Sequence, residues 1–162
     1  MQNACIFSSD RRYRYLLRHS WEPTFVPKFC TWIGLNPSIA DETQLDPTLR
    51  RIRAFSAASG YNGFIMTNLF GLVSTDPDQL YTVDDPVGPE NDHYILQAAT
   101  ETRKVVVAWG ILGGYQKRCQ TVLKMLACFE VMCLKETMEG YPIHPLYVAG
   151  NTELIRYGKA QE

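Results

Sequence analysis

The sequence predicts an α/β fold, a three-layer sandwich with a mainly parallel central sheet and an N-terminal antiparallel edge hairpin. Three observations predict it. Four short apolar runs, at 28–35, 63–70, 104–110 and 129–134, lack the polar alternation of a half-exposed strand, as expected of strands covered on both faces. Segments with helical punctuation separate them, so the order from residue 28 onward reads βαβαβαβ. Ahead of them, "ACIFSSDRRYRYLLRHSW" alternates around a Ser-Ser-Asp turn, the pattern of two short antiparallel strands.

The elements follow in order. "KFCTWIGL" at 28–35 is the first buried strand. "DPTLRRIRAFSAAS" reads as a helix, with Asp46 as N-cap, Pro47 at the first helical position and Gly60 past the end. "GFIMTNLF" at 63–70 is the second buried strand, and a long irregular region rich in Asp, Pro and Gly connects it to a helix near 91–101. "KVVVAWG" at 104–110 leads into a helix around 114–127, and "FEVMCL" at 129–134 closes the series.

At 162 residues, 46% hydrophobic and 20% charged, the chain has the composition of one compact domain over 1–162. No apolar run approaches the roughly 20 residues needed to cross a bilayer, and the N-terminus lacks the apolar centre of a secretory signal, so no membrane partner and a cytoplasmic location are expected. The cysteines, Cys5, Cys30, Cys119, Cys128 and Cys133, are odd in number and lack close paired spacing. They read as reduced thiols, with no metal or cofactor expected. Net charge is −1 but unevenly placed: residues 71–102 carry seven Asp/Glu and no Lys/Arg, whereas 1–53 and 103–162 each carry eight Lys/Arg against five Asp/Glu. Such a layout could hold a nucleic-acid backbone on one face, while the near-neutral total supplies no overall attraction to phosphate.

In an open parallel sheet, ligands bind beyond the carboxyl ends of the strands. Here those ends are "GLNPS", "TNLFG", "AWGILGG" and, after a short loop, "ETMEGYPIHPLY". Asn36 precedes Pro37, which excludes it from helical backbone and stiffens the strand exit; its amide either orients a polar ligand or bonds its own turn. Asn68 ends an apolar strand, where its amide either reads a heterocyclic base or fixes a loop. His144, between Pro142 and Pro145, either serves as an acid, base or hydrogen-bond donor or is a structural histidine; His19 and His93 lack that rigid frame. Gly110, Gly113 and Gly114 follow a strand without the Lys-Ser/Thr ending of a phosphate-binding loop, and close packing around Trp109 is sufficient reason for residues this small. Arg50, Arg51 and Arg53 either contact phosphates or form a solvated helix face.

Taken in order, "GLNPS", "TNLF", "VVVAWGILGGYQKR" and "HPLY" resemble the motifs of the uracil-DNA glycosylase superfamily, over roughly residues 28–148. More closely, "LNPSIAD", "DPTLRR", "NLFGLVSTDP", "GPEND", "AWG" and "HPLY" resemble the DUF1643 family, a likeness that names no activity. The glycosylase resemblance implies a uracil-DNA glycosylase-like fold. It also implies that Asn36 holds the attacking water or supports the sugar cation, that Asn68 reads the base, and that His144 stabilises the departing base anion. Gly34, Leu35, Pro37, Ser38, Phe70, Trp109 and Leu146 would complete the substrate pocket. Leu146 would either enter a DNA stack or anchor its loop in the core. Because an amide cannot ionise into a general base, the reaction would rely either on positioning or on another carboxylate, such as Asp41, Asp46 or Asp92.

The resulting expectation is a nucleobase-binding protein, a DNA glycosylase that hydrolyses the N-glycosidic bond of uracil or another modified base. Its partner would be DNA or a nucleotide containing that base. The alternatives are a non-catalytic nucleic-acid or nucleotide-binding module and an enzyme acting on free modified nucleosides or nucleotides.

Overall fold

The computed structural model describes residues 3–22, 26–40 and 43–161. Among these, the strands are β1 (Ala4–Phe7), β2 (Arg14–Ser20), β3 (Phe29–Gly34), β4 (Gly63–Asn68), β5 (Lys104–Val107), β6 (Glu130–Cys133) and β7 (Ile155–Arg156), and the helices are α1 (Pro47–Ala58), α2 (Asn91–Thr102) and α3 (Arg118–Met125). The strands form one sheet in the order β1-β2-β4-β3-β5-β6-β7. The central four are parallel; β1 pairs antiparallel with β2, β2 with β4, and β7 with β6. Only β2 and β7 therefore run against the rest.

Burial explains the apolar runs. Every residue of β3 and β4 is buried, because helices cover both faces. Cys30, Trp32, Phe64, Met66 and Val106 pack on one face against Leu49, Ile52 and Phe55 of α1. On the other, Ile33, Val105, Val107 and Val131 pack against Ile95 and Ala99 of α2 and Cys119 and Val122 of α3. Two buried polar residues inside β3 and α1 find partners across these layers: Trp32 Nε1 donates to Ser56 Oγ at 2.9 Å, and Thr31 Oγ1 to the Ala98 carbonyl at 3.0 Å.

Local chemistry sets the boundaries. Asp46 caps α1 by accepting from the Leu49 amide at 2.9 Å, Pro47 occupies the first helical turn, and Gly60 follows with φ +90°. The acidic connection before α2 is tied down: the Tyr13 hydroxyl donates to the Asp85 carbonyl at 2.6 Å and the Gly71 amide to the Val87 carbonyl at 2.9 Å.

The structure departs from the predicted 114–127 helix. A 3-10 run, Ile111–Lys117, comes first, and α3 begins only at Arg118. Extended backbone at Tyr115 and left-handed backbone at Gln116 and Lys117 break the helical path. A Cβ on Gly113 would lie 2.2 Å from the Trp109 ring, and one on Gly114 2.7 Å from the Tyr141 hydroxyl, so these glycines serve close packing. The two-residue β7, too short to show a period, is the strand absent from the sequence reading, as are the short 3-10 turns Pro77–Tyr81, Pro145–Tyr147 and Gly158–Gln161.

The chain leaves β3 towards α1 on one face, whereas it leaves both neighbours, β4 and β5, towards α2 and α3 on the other. Loops that part in opposite directions open a crevice beyond the carboxyl ends of these strands.

Candidate functional site

A cleft of about 320 Å³ occupies that crevice, at the small end of the range for small-molecule sites. Its walls are Gly34, Leu35, Asn36, Pro37 and Ser38 after β3, Asn68 at the end of β4, Trp109 and Gly110 after β5, His144 and Pro145 from the loop after β6, and Asp46 at the start of α1. The four unusual strand endings therefore meet.

Asn36 is half-buried and its amide nitrogen is engaged. Nδ2 donates to the Ser74 carbonyl at 3.0 Å, to that of Pro37 at 3.2 Å and to that of Leu72 at 3.4 Å. These bonds tie the β3 exit to the 72–74 segment, and further ties join the Leu69 amide to the Gly34 carbonyl and the Phe70 amide to the Leu35 carbonyl, both at 2.9 Å. What Asn36 can still offer a ligand is its oxygen, an acceptor.

Asn68 is in the complementary state. Its side chain is 2% exposed, and Nδ2 has no hydrogen-bond partner among the described residues. The amide oxygen lies so close to Gly34 that a Cβ there would sit 2.8 Å from it. Gly34 therefore gives the amide its room. A buried, unpaired N–H costs about 1–3 kcal/mol, which a ligand acceptor in the cleft would offset.

His144 has a defined tautomer. Nδ1 accepts from the Leu146 amide at 3.2 Å, so the proton of the neutral ring resides on Nε2. Burial holds its pKa below the ordinary 6.5, with the nearby Asp46 charge opposing the shift. At neutral pH the ring is an uncharged N–H donor. Arg51 secures the loop that carries it: Nε donates to the Pro145 carbonyl at 3.2 Å, and Nη2 donates to that of Val148. Asp46 offers one carboxylate oxygen to the Leu49 amide while lining the cleft.

Other candidates stand apart. Phe70 is fully buried in the core, with its ring 5.9 Å from that of Tyr115, and does not line the cleft. Asp92 forms an ion pair with Arg118 outside the cleft. Arg50 donates to the Leu45 carbonyl at 3.0 Å on an exposed face, Arg51 donates to the loop carbonyls, and neither lines the cleft. Trp109 borders the cleft, but its ring belongs to the core, edge-on to Tyr157 at 6.3 Å. Leu146 is 44% exposed, so it does not anchor its loop in the core. Asp41 lies outside the described residues.

Sequence reasoning missed Arg14, a cleft-lining arginine that is 2% exposed and donates from Nη1 to the Ala40 carbonyl at 2.7 Å. The one available signal was a charge inside the apolar "YRYLL". It also missed Ile111 and Tyr147, which line the cleft while 60% and 77% exposed. Among the described residues no group of three His, Cys, Asp or Glu is placed to hold a metal, and no helix is long and apolar enough to cross a membrane.

No match was found among curated proteins or among solved structures. Residues 14–146 match the model of the family described as "Protein of unknown function (DUF1643)". That match spans every described wall of the cleft except Tyr147, and on its extent the chain belongs to the DUF1643 family.

Proposed function

We propose that the cleft binds a nucleobase and that the protein hydrolyses the N-glycosidic bond of uracil or another modified base. The observation that carries this reading is the Asn68 amide, buried at the cleft with Nδ2 unpartnered. A planar heterocycle with a carbonyl oxygen would satisfy that donor. Across the same cleft, the Nε2–H of neutral His144 is suited to an oxygen on which negative charge develops as the base departs.

The remaining groups fit the other half of the reaction. Positive charge develops on the sugar, and the Asp46 carboxylate is available to stabilise it or to accept a proton from water. Asn36, with its nitrogen engaged, contributes an acceptor oxygen that can orient that water. Of Asp46 and Asp92, Asp46 is the better placed for the general-base role, since it lines the cleft and Asp92 is paired to Arg118 away from it.

A second reading is favoured by the arginines. Arg51 is bound to backbone carbonyls and Arg50 to Leu45, and the segment that adds Pro77 to the cleft wall is acidic. This suits a free modified nucleoside or nucleotide better than a DNA duplex, whose binding rests on phosphate neutralisation.

The test is incubation of the purified protein with oligonucleotides carrying a panel of modified bases, and with the corresponding nucleosides, assayed for free base and abasic sites. Base release that disappears in Asn68→Ala and His144→Ala is the expected result. Release from nucleosides alone selects the second reading. Binding of bases without release from either set would refute the hydrolytic step and leave a binding module.

A further inference from the structure

We propose that Arg118 and Asn91, on two different helices, form a positioning unit that holds Asn68 in its cleft-facing pose from below the sheet end. Asn91, fully buried in the first turn of α2, donates from Nδ2 to the Asn68 carbonyl at 2.8 Å and the Leu69 carbonyl at 3.0 Å. Arg118, 5% exposed at the start of α3, donates from Nε to the same Leu69 carbonyl at 2.7 Å, and its Nη2 pairs with Asp92. Asn91 thus holds the carbonyl of the residue whose side chain lines the cleft, and Arg118 shares with it the next carbonyl, that of Leu69. The inference rests on Asn68 being the amide that meets the ligand.

Local structure around Arg118 is unfavourable unless that grip matters. Gln116 and Lys117 are consecutive non-glycine residues with φ +54°, a conformation that costs energy in L-residues. The α3 N-terminus has no side-chain cap, and it begins with a cation where the helix dipole favours an anion. A guanidinium is buried as well, which requires a partner. Each of these choices has one consequence in common: it delivers the Arg118 fork to the Leu69 carbonyl, with Asp92 from α2 neutralising it. Such locally inconsistent choices concentrate at functional sites.

None of the cleft's own walls includes Arg118, Asn91 or Asp92, so these residues act through Asn68. The test follows the Asn68 side-chain amide by 15N NMR in wild type, Arg118→Met and Asp92→Asn, with thermal denaturation in parallel and uracil as the titrated probe. Asp92 is about half-exposed, so Asp92→Asn reports on the unit even if Arg118→Met does not fold. The expected result is a shifted Asn68 Nδ2 resonance pair with faster solvent exchange in the variants. Uracil affinity should fall about tenfold in Arg118→Met, the scale of a lost charged hydrogen bond, and the loss should vanish in an Asn68→Ala background.

An unmoved Asn68 amide in the folded variants would overturn the proposal, whether or not uracil binds. So would an affinity loss of the same size in the Asn68→Ala background, which marks a global effect. If wild type binds no uracil while the Asn68 amide moves in the variants, the positioning role stands and the uracil reading fails.

Discussion

Gly34→Ala perturbs the cleft with one methyl group. The added Cβ would lie 2.6 Å from Met66 Cε and 2.8 Å from Asn68 Oδ1, both below contact distance. The methionine end is flexible and can retreat. Asn68 is 2% exposed and its own carbonyl is held by Asn91 of α2, so its amide must rotate into less favourable packing. Overpacking of this kind destabilises by about 1–3 kcal/mol. At roughly 2–4 °C per kcal/mol for a chain of this size, the melting temperature should fall by about 2–12 °C. Losing the oriented Asn68 hydrogen bond should weaken base affinity by roughly three- to tenfold. Urea denaturation and calorimetric titration with free bases measure the two effects separately. Unchanged stability together with unchanged affinity would refute the claim that Gly34 makes room for the amide.

Three more outcomes follow from the same geometry. Arg51→Ala removes two charged bonds to the Pro145 and Val148 carbonyls; it should cost about 2 kcal/mol and raise amide hydrogen exchange at Leu146, whereas unchanged exchange would show that the loop is held otherwise. The His144 pKa is lower in the folded than in the unfolded state, so the unfolded chain binds more protons; its contribution to stability is complete above pH 6.5 and is lost as pH falls through the folded value. A pH series of denaturation curves should show that loss, and His144→Gln should flatten it. Burial pushes the thiols of Cys30 and Cys133 up to about 11 and about 12, while Cys128 is exposed. Alkylation of native protein near neutral pH should therefore modify Cys128 first; early labelling of Cys30 would contradict its burial.

Local rules made much of the fold legible. Asp46, Pro47 and Gly60 bound α1 as their backbone preferences require, and the runs around Trp32 and Ile65 are strands because both faces are covered. In the 111–117 segment the packing of Gly113 on Trp109 was legible, whereas the break before α3 and the packing of Gly114 against Tyr141 were not, because Tyr141 is brought there only by folding. The cleft followed a similar division. Asn36, Asn68, Asp46 and His144 could be named from turn chemistry and strand endings, and they line one cleft. Phe70 is two residues from Asn68 and Asp92 is a carboxylate in the first turn of α2, yet packing turns Phe70 into the core and an ion pair holds Asp92 beside Arg118.

By itself, the sequence determined the order of strands and helices, the covered centre of the sheet and the polar character of its strand exits, because periodicity, capping and proline stiffness act over a few residues. Only the tertiary structure decided which amide nitrogen is engaged and which is unpartnered, and which arginines serve distant carbonyls. Those states depend on atoms far apart in the chain: Asn36 on Ser74, and Arg51 on Val148. Hydrogen bonding is a contact property, and the contacts exist only once the sheet has brought its ends together.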